Sequence, residues 1–296
     1  MSISFKGKVA IVTGAGAGLG KSHALELARR RAKVVVNDLG GSVDGSGGSS
    51  EAAKAVVAEI KALGGEAIAN GSSVADKKGV ELLVKETMGA FGRIDVLINN
   101  AGILRDKTFK KMELEDFELV VNVHLLGSVY CTRAVWPIML DQNYGRIVMT
   151  TSSSGLYGNF GQSNYGAAKL GLVGFMNTLK LEGQKNNIKV NTIAPVAATR
   201  MTENLGIPEA VFKRLKPELV TPAVLYLASD DAPTGAIVEA GAGYYARAQV
   251  VESKGVKLGD NVTVEDIAKN WEKLSDMTGA TPFNSGAEVT AKIFSP

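Results

Sequence analysis

The sequence predicts an α/β fold, a single doubly wound parallel sheet with helices on both faces and a carboxy-terminal extension. Three observations predict it. Short, β-branched apolar runs recur along the chain, amphipathic helical segments separate them, and a glycine-rich loop joins the first run to the first helix. Parallel strands covered by helices on both faces are continuously apolar rather than alternating. Strand–helix alternation in turn argues for parallel pairing. A (β/α)8 barrel would produce the same alternation, but the glycine-rich first loop favours the open sheet.

The elements follow in order. Val9–Val12 reads as a strand and Lys21–Arg31 as a helix; Lys33–Val36 is a second strand, followed by a helix over Ser50–Leu63 that Gly64-Gly65 stops. Ala67–Ala69 is a weak strand, and the helix Lys77–Phe91 ends at Gly92. Strands follow at Val96–Ile98, Arg146–Met149 and Lys189–Ile193, with apolar helices around Val120–Met139 and Tyr165–Leu181. Leu39–Ser50 is rich in glycine and serine and reads as a mobile surface loop. Residues 1–243 are expected to form the catalytic unit, and 244–296 an extension packed on the same domain. In that extension Thr263 and Asp266 have capping-box spacing for a helix running through Asn270–Leu274.

Composition excludes several function classes. With 296 residues, 45% of them apolar and 21% charged, the chain can bury a full core. A formal charge of +3 without a basic, aromatic-interleaved cluster argues against nucleic-acid binding. The single Cys131 forbids an intrachain disulfide and suits a reducing compartment, and its apolar neighbours suggest a buried thiol. Two histidines, His23 and His124, leave little material for a metal site, and none is expected. No uncharged apolar stretch of about 18 residues suggests a membrane span. Neither a signal peptide at the start nor a Ser-Lys-Leu address at Ile293–Pro296 is evident, so a cytoplasmic protein is expected.

Thr13-Gly14-Ala15-Gly16-Ala17-Gly18-Leu19-Gly20 stands at the first strand-to-helix junction. Glycines there allow a tight turn and close backbone approach, and the following helix start points unpaired N–H groups at an anion. A glycine run alone is weak evidence. An acidic residue about 20 positions further on strengthens it, and Asp38 at the end of the second strand fits. Its carboxylate can accept from adenosine ribose hydroxyls and would repel a 2′-phosphate. No Arg or Lys among Ala15, Gly16 and Ala17 would neutralise such a phosphate. NAD is therefore expected over NADP.

Tyr165-Gly166-Ala167-Ala168-Lys169 sets a phenol and an ammonium on one helix face. A free tyrosine ionises near pH ~10, so a neighbouring cation is needed to make it a base at neutral pH. The spacing is common by chance and gains meaning only from its company. Ser152, Ser153 and Ser154 follow the Arg146–Met149 strand, whose carboxy-terminal end should face the cofactor crevice, as should Asn99-Asn100-Ala101-Gly102.

The glycine loop, Asn-Asn-Ala-Gly, and serine followed by Tyr-x-x-x-Lys, in this order, resemble the classical short-chain dehydrogenase/reductase family, with its Rossmann-type sheet. The resemblance covers the chain to about Gly243. It implies oxidation of a secondary alcohol to a ketone, with Ser152, Tyr165 and Lys169 as catalytic residues. Gly14, Gly16, Gly18, Leu19, Gly20, Asp38, Ser73, Val74, Asn99, Ala101, Gly102, Tyr165, Lys169 and Pro195 are the expected cofactor contacts. It also implies a homodimer, with a tetramer as the alternative. Two positions depart from the family pattern. His124-Leu125-Leu126-Gly127 stands where an Asn-Leu-x-Gly segment is usual, and Asn122 lies two residues away. His124 is the candidate to replace the asparagine in the proton relay behind Lys169, although a packed helical histidine would fit equally well. Pro195-Val196 replaces the family's Pro-Gly.

Longer stretches narrow the resemblance. Asn37–Gly41 with its glycine-rich insert, Ala101–Asp106, Tyr157–Gln162, Lys185–Ile188 and Arg200–Glu203 are similar to the (3R)-hydroxyacyl-CoA dehydrogenase units of peroxisomal multifunctional enzymes of type 2. The implied substrate is a (3R)-3-hydroxyacyl-CoA, and Arg105, Lys107, Lys110 and Lys111 are candidate contacts for CoA phosphates. Oxidation of a steroid 17β-hydroxyl is the alternative substrate reading. A non-catalytic NAD-binding sensor or scaffold is the non-enzyme alternative, and such a protein would be expected to lose the serine, tyrosine or lysine.

Overall fold

A computed structural model describes residues 3–198 and 209–295, so the Arg200–Glu203 stretch lies outside the described residues. The chain divides into two compact units, Met1–Arg247 and Ala248–Pro296.

The larger unit is built on an eight-stranded sheet of order β3-β2-β1-β4-β5-β6-β7-β8. Its strands are β1 (Val9–Thr13), β2 (Lys33–Asn37), β3 (Ala67–Asn70), β4 (Val96–Asn99), β5 (Gly145–Thr150), β6 (Ile188–Pro195), β7 (Ile237–Gly241) and β8 (Tyr244–Ala248). β3 to β7 pair in parallel throughout, as in Ile11 opposite both Val35 and Leu97. The continuous apolar runs are the reason. Val34–Val36, Ile98, Ile147 and Val148 are all without solvent exposure, and helices cover both faces. β7 and β8 are not signalled by the apolar pattern. They are joined by the two-residue turn Ala242–Gly243, whose φ values of +50° and +83° fit a type I′ hairpin. β8 carries the larger unit to Arg247, four residues past the Gly243 boundary expected from the family resemblance.

The helices of this unit are α1 (Gly18–Arg29), α2 (Glu51–Ala62), α3 (Lys77–Phe91), α4 (Leu114–Val121), α5 (Gly127–Gln142), α6 (Ser153–Tyr157), α7 (Ser163–Glu182), α8 (Glu209–Phe212) and α9 (Thr221–Leu227). α1 starts three residues before the Lys21 expected from its apolar period, because Lys21 N already donates to Ala17 O at 3.2 Å. α3 begins where Asp76 accepts from Lys78 N and Gly79 N, and ends at Gly92 with φ +73°. Between α4 and α5 the chain passes through one π-helical stretch, Asn122–Leu126. The smaller unit holds α10 (Val264–Lys269), α11 (Trp271–Ser275) and α12 (Gly286–Phe294). Thr263 and Asp266 form the expected reciprocal cap, and the helix after it breaks at Asn270 instead of running through.

The order places β1 between β2 and β4, so consecutive crossovers leave β1 in opposite directions. The crevice beyond the carboxy ends of β1 and β4 is the place where such sheets bind ligands.

Candidate active site

A cavity of about 300 Å³ opens in this crevice. Gly14, Gly18, Leu19, Asp38, Ser73, Val74, Ala101 and Gly102 line it, as expected from the sequence. The loop backbone turns through positive φ at Gly14 (+61°) and Gly18 (+53°). A side chain on Gly14 would lie 2.7 Å from the Ala101 Cα, so the loop and the end of β4 require each other's small residues. Ala17 precedes α1 and has no side-chain oxygen to cap it, which leaves the first-turn N–H groups available to an anion. Asp38 is held on both carboxylate oxygens, accepting from Gly16 N at 2.7 Å and from Gly40 N at 2.6 Å. An apolar cleft, an open helix start and a fixed carboxylate at its far end fit a nicotinamide adenine dinucleotide. Among the described residues no group of three His, Cys, Asp or Glu side chains could hold a metal ion.

Of the expected cofactor contacts, Gly16, Gly20, Asn99, Tyr165, Lys169 and Pro195 do not line the cavity. Asn99 turns its amide away from the cleft and donates to Thr132 Oγ1 at 3.1 Å. Asn100 takes the bracing role instead. Its Nδ2 donates to the carbonyls of Thr13 (2.9 Å) and Gly14 (3.0 Å), and its N–H donates to Thr13 Oγ1. The alternation of side chains along β4 carries the signal that separates the two asparagines. Pro195 ends β6 opposite Ala240 and does not line the cavity.

The Leu39–Ser50 segment, read from the sequence as a surface loop, runs along the cavity as a strap. Ser42, Val43 and Gly45 line the cavity. Ser46 N and the Ser42 and Ser46 hydroxyls donate to the Asp44 carboxylate, holding its pKa below the usual range, and Ser42 N donates to Ser46 O at 2.8 Å. Its glycines supply the turns, and its serine hydroxyls the hydrogen bonds to Asp44.

Behind the cleft the expected catalytic residues meet. Ser152, after β5, is buried and caps α6 by accepting from Ser154 N at 3.1 Å. The Ser152 hydroxyl also favours the ionised form of the Tyr165 phenol, lowering its pKa. Lys169 lies one turn along α7, buried, with Nζ donating to Thr150 O at 2.5 Å and 5.3 Å from the centre of the Tyr165 ring. Burial dominates both titrations. It pushes the Tyr165 phenol up to about 12, against a lowering by the Ser152 hydroxyl and with a further rise from the Asp106 charge. Burial also pulls the Lys169 ammonium down to about 7. Desolvation is the larger effect on the phenol in this state.

His124 sits in the π-helical stretch, 2% exposed, while the neighbouring Asn122 faces solvent. Its Nε2 lies 3.0 Å from Ile103 N and 2.8 Å from Ile103 O. A Cβ on Gly102 would overlap the ring, so Gly102 is what admits a histidine here. Burial, then the Lys169 charge, holds the imidazole well below its ordinary pKa. Of the basic residues considered for CoA phosphates, Arg105 and Lys107 are both committed to Asp116, at 2.9 Å and 3.2 Å. Lys110 and Lys111 stay exposed in the 3₁₀ turn Phe109–Lys111.

The sheet, the glycine loop and the Ser152–Tyr165–Lys169 cluster define an oxidoreductase that works with a nicotinamide dinucleotide. Comparison with known proteins agrees. The short chain dehydrogenase family model matches residues 8–209, and the chain belongs to that family. The chain is 50% identical over 294 residues to peroxisomal multifunctional enzyme A of Dictyostelium discoideum, a match covering 99% of this chain and 66% of that protein. It superposes on the full-length peroxisomal multifunctional enzyme type 2 of Drosophila melanogaster with a TM-score of 0.82 and 40% identity, covering 98% of this chain and 49% of that one. A 7α-hydroxysteroid dehydrogenase complexed with NADH and 7-oxo glycochenodeoxycholic acid matches with a TM-score of 0.74 and 29% identity, covering 81% of this chain and 95% of that one. The chain thus spans between half and two thirds of the length of these multifunctional relatives.

Proposed function

We propose that the chain oxidises a (3R)-3-hydroxyacyl-CoA to the 3-ketoacyl-CoA, with NAD as acceptor. The observation that carries this reading is the meeting of Ser152, Tyr165 and Lys169 beside the glycine-loop cleft. Similarity to multifunctional enzymes over nearly the whole chain supports the acyl-CoA substrate. A bound NAD, held by the glycine loop and Asp38, would supply the hydride acceptor for the carbinol carbon. Ser152 donates to the substrate oxygen and Tyr165 takes the hydroxyl proton. The Lys169 cation would favour the phenolate against the desolvation that raises it, and a bound oxidised nicotinamide would add to that. Lys169 also binds the nicotinamide ribose hydroxyls, and His124 stands in the relay that returns its proton to solvent. Asp38 selects NAD by repelling a 2′-phosphate.

Turnover of a 3R-hydroxyacyl-CoA, its 3S epimer, estradiol and testosterone, each followed by NADH absorbance, tests this reading. Preference for the 3R thioester supports it, and preference for a steroid overturns it. The steroid reading is the second one, favoured by the likeness to the 7α-hydroxysteroid dehydrogenase. A homodimer through α4, α5 and α7 belongs to the same proposal. Leu170 and Leu181 on α7 remain 47% and 45% exposed in the isolated chain, and sedimentation would measure the assembly. Cytoplasmic residence rests on the lone Cys131, buried and raised to about 12 by desolvation, which suits a reducing compartment. Several relatives carry a peroxisomal name, so imaging of a tagged chain is the check.

A further inference from the structure

The segment between Gly102 and Lys107 touches both halves of the site. On one side Leu104 N donates to Val43 O at 3.0 Å, and Arg105 Nε donates to Asp44 O at 2.6 Å, which draws the strap across the cleft. On the other side the Arg105 carbonyl accepts from Asn164 Nδ2 at 3.0 Å, and Asn164 Oδ1 accepts from Tyr165 N at 2.7 Å. Asn164 is fully buried, so this second link is fixed. The guanidinium also donates from NH1 to Asp116 Oδ1 at 2.9 Å. Lys107 Nζ contacts the other oxygen of Asp116, so Asp116 keeps a cation without Arg105. A planar guanidinium can serve the carbonyl and the carboxylate at once, which a single ammonium at this reach cannot.

We propose that Arg105 is a positioning residue that latches the Leu39–Ser50 strap over the dinucleotide and ties cofactor closure to the segment bracing Tyr165. This rests on the dinucleotide reading of the cleft but not on the identity of the alcohol. The strap lines the cavity at Ser42, Val43 and Gly45, so a bound dinucleotide cannot leave without moving it or passing beneath it. One charged hydrogen bond from Arg105, together with the Leu104–Val43 pair, holds the strap to the far wall.

The test uses Arg105→Met and Arg105→Lys in the full chain, with NADH as the probe. Lysine preserves a cation facing Asp116, so a purely structural charge role would be rescued by it, whereas a latch role would not. The expected result is NADH release about tenfold faster in stopped-flow displacement for both variants, the loss of one charge-assisted hydrogen bond at a half-exposed site. Hydrogen exchange should show NADH protecting the amides of 39–50 in the wild type and failing to do so in either variant at saturating NADH. The melting temperature of Arg105→Lys should stay at the wild-type value. Wild-type release and wild-type strap protection in Arg105→Lys would overturn the latch. A wild-type protein that takes up no NADH would overturn both the latch and the cofactor reading. NADH binding without oxidation of any hydroxyacyl-CoA would leave the latch standing and remove only the substrate.

Discussion

His124 stands edge-on to Tyr165, with ring centroids 5.1 Å apart and planes at 86°. Its Nε2 is committed to the backbone of Ile103, and its Nδ1 is buried without a hydrogen-bond partner. An unsatisfied buried nitrogen costs about 1–3 kcal/mol, and a residue that merely packed there could be an apolar one. The ring is neutral at pH 7, because burial and the nearby Lys169 both disfavour its cation. A neutral imidazole with one free nitrogen can pass a proton through water. His124→Ala should therefore lower kcat by about 100-fold while leaving the NADH dissociation constant near wild type. His124→Asn, which restores the residue usual in the family, should recover most of the loss. Wild-type turnover by His124→Ala across pH 6 to 10 would remove the relay.

Asp106 acts on Tyr165 through charge. Its carboxylate accepts from Gln162 Nε2 at 2.6 Å, and burial raises its own pKa while that hydrogen bond lowers it. Its negative charge adds to the desolvation that raises the Tyr165 phenol. Removing a negative charge favours the phenolate, so Asp106→Asn should lower the tyrosine pKa. The alkaline rise in kcat for alcohol oxidation should move to lower pH by up to about one pH unit. An unmoved or alkaline-shifted profile would contradict this assignment. Asparagine retains an acceptor for Gln162, so the geometry is preserved in the test.

These relationships mark what the sequence could and could not convey. The inner strands and the glycine loop are legible as apolar runs and spacing local to the chain, and the Ser152–Tyr165–Lys169 set as a motif order that resembles a known family. The Leu39–Ser50 strap is not. Its placement along the cavity involves contacts with Leu104 and Arg105, residues far away in sequence, which composition cannot register. β8 is likewise hidden, because an edge strand with exposed Tyr244 and Tyr245 lacks the buried apolar run that marks the inner strands. Asn99 and Asn100 are adjacent and chemically identical, so only the direction in which each side chain leaves β4 separates their roles.

Asp38 should decide the choice of cofactor. Its two oxygens accept from Gly16 N and Gly40 N, which fixes the charge at the end of the cleft where an adenosine ribose would lie. Asp38→Asn removes the charge and keeps one acceptor. The ratio of kcat/KM for NAD over NADP should fall about tenfold, the equivalent of ~1.4 kcal/mol of like-charge repulsion. Steady-state kinetics with each dinucleotide measure it. Equal efficiency with both dinucleotides in the wild type would remove the carboxylate as the selector.

His23 should dominate one part of the acid sensitivity of the fold. It lies on α1, 1% exposed, with Nδ1 2.8 Å from Thr221 Oγ1 on α9, and Ser22 Oγ is 2.7 Å from the same hydroxyl. Burial lowers its pKa from 6.5 to about 3. The unfolded chain takes up the proton near pH 6.5, whereas the folded chain resists it until about 3. The associated stability is thus complete above pH 6.5 and is lost as the pH falls toward 3. Between pH 7 and pH 4 the loss is on the order of 3 kcal/mol, because each pH step below the unfolded-chain value costs ~1.4 kcal/mol. His23→Gln keeps a hydrogen-bonding group for Thr221 and cannot titrate. Urea unfolding at the two pH values should give a smaller stability difference for His23→Gln than for the wild type, even if the variant is less stable at pH 7. The carboxylates titrate in both proteins, so the contrast isolates the histidine, and an equal pH dependence in the two would show that His23 is protonated without cost in the folded state.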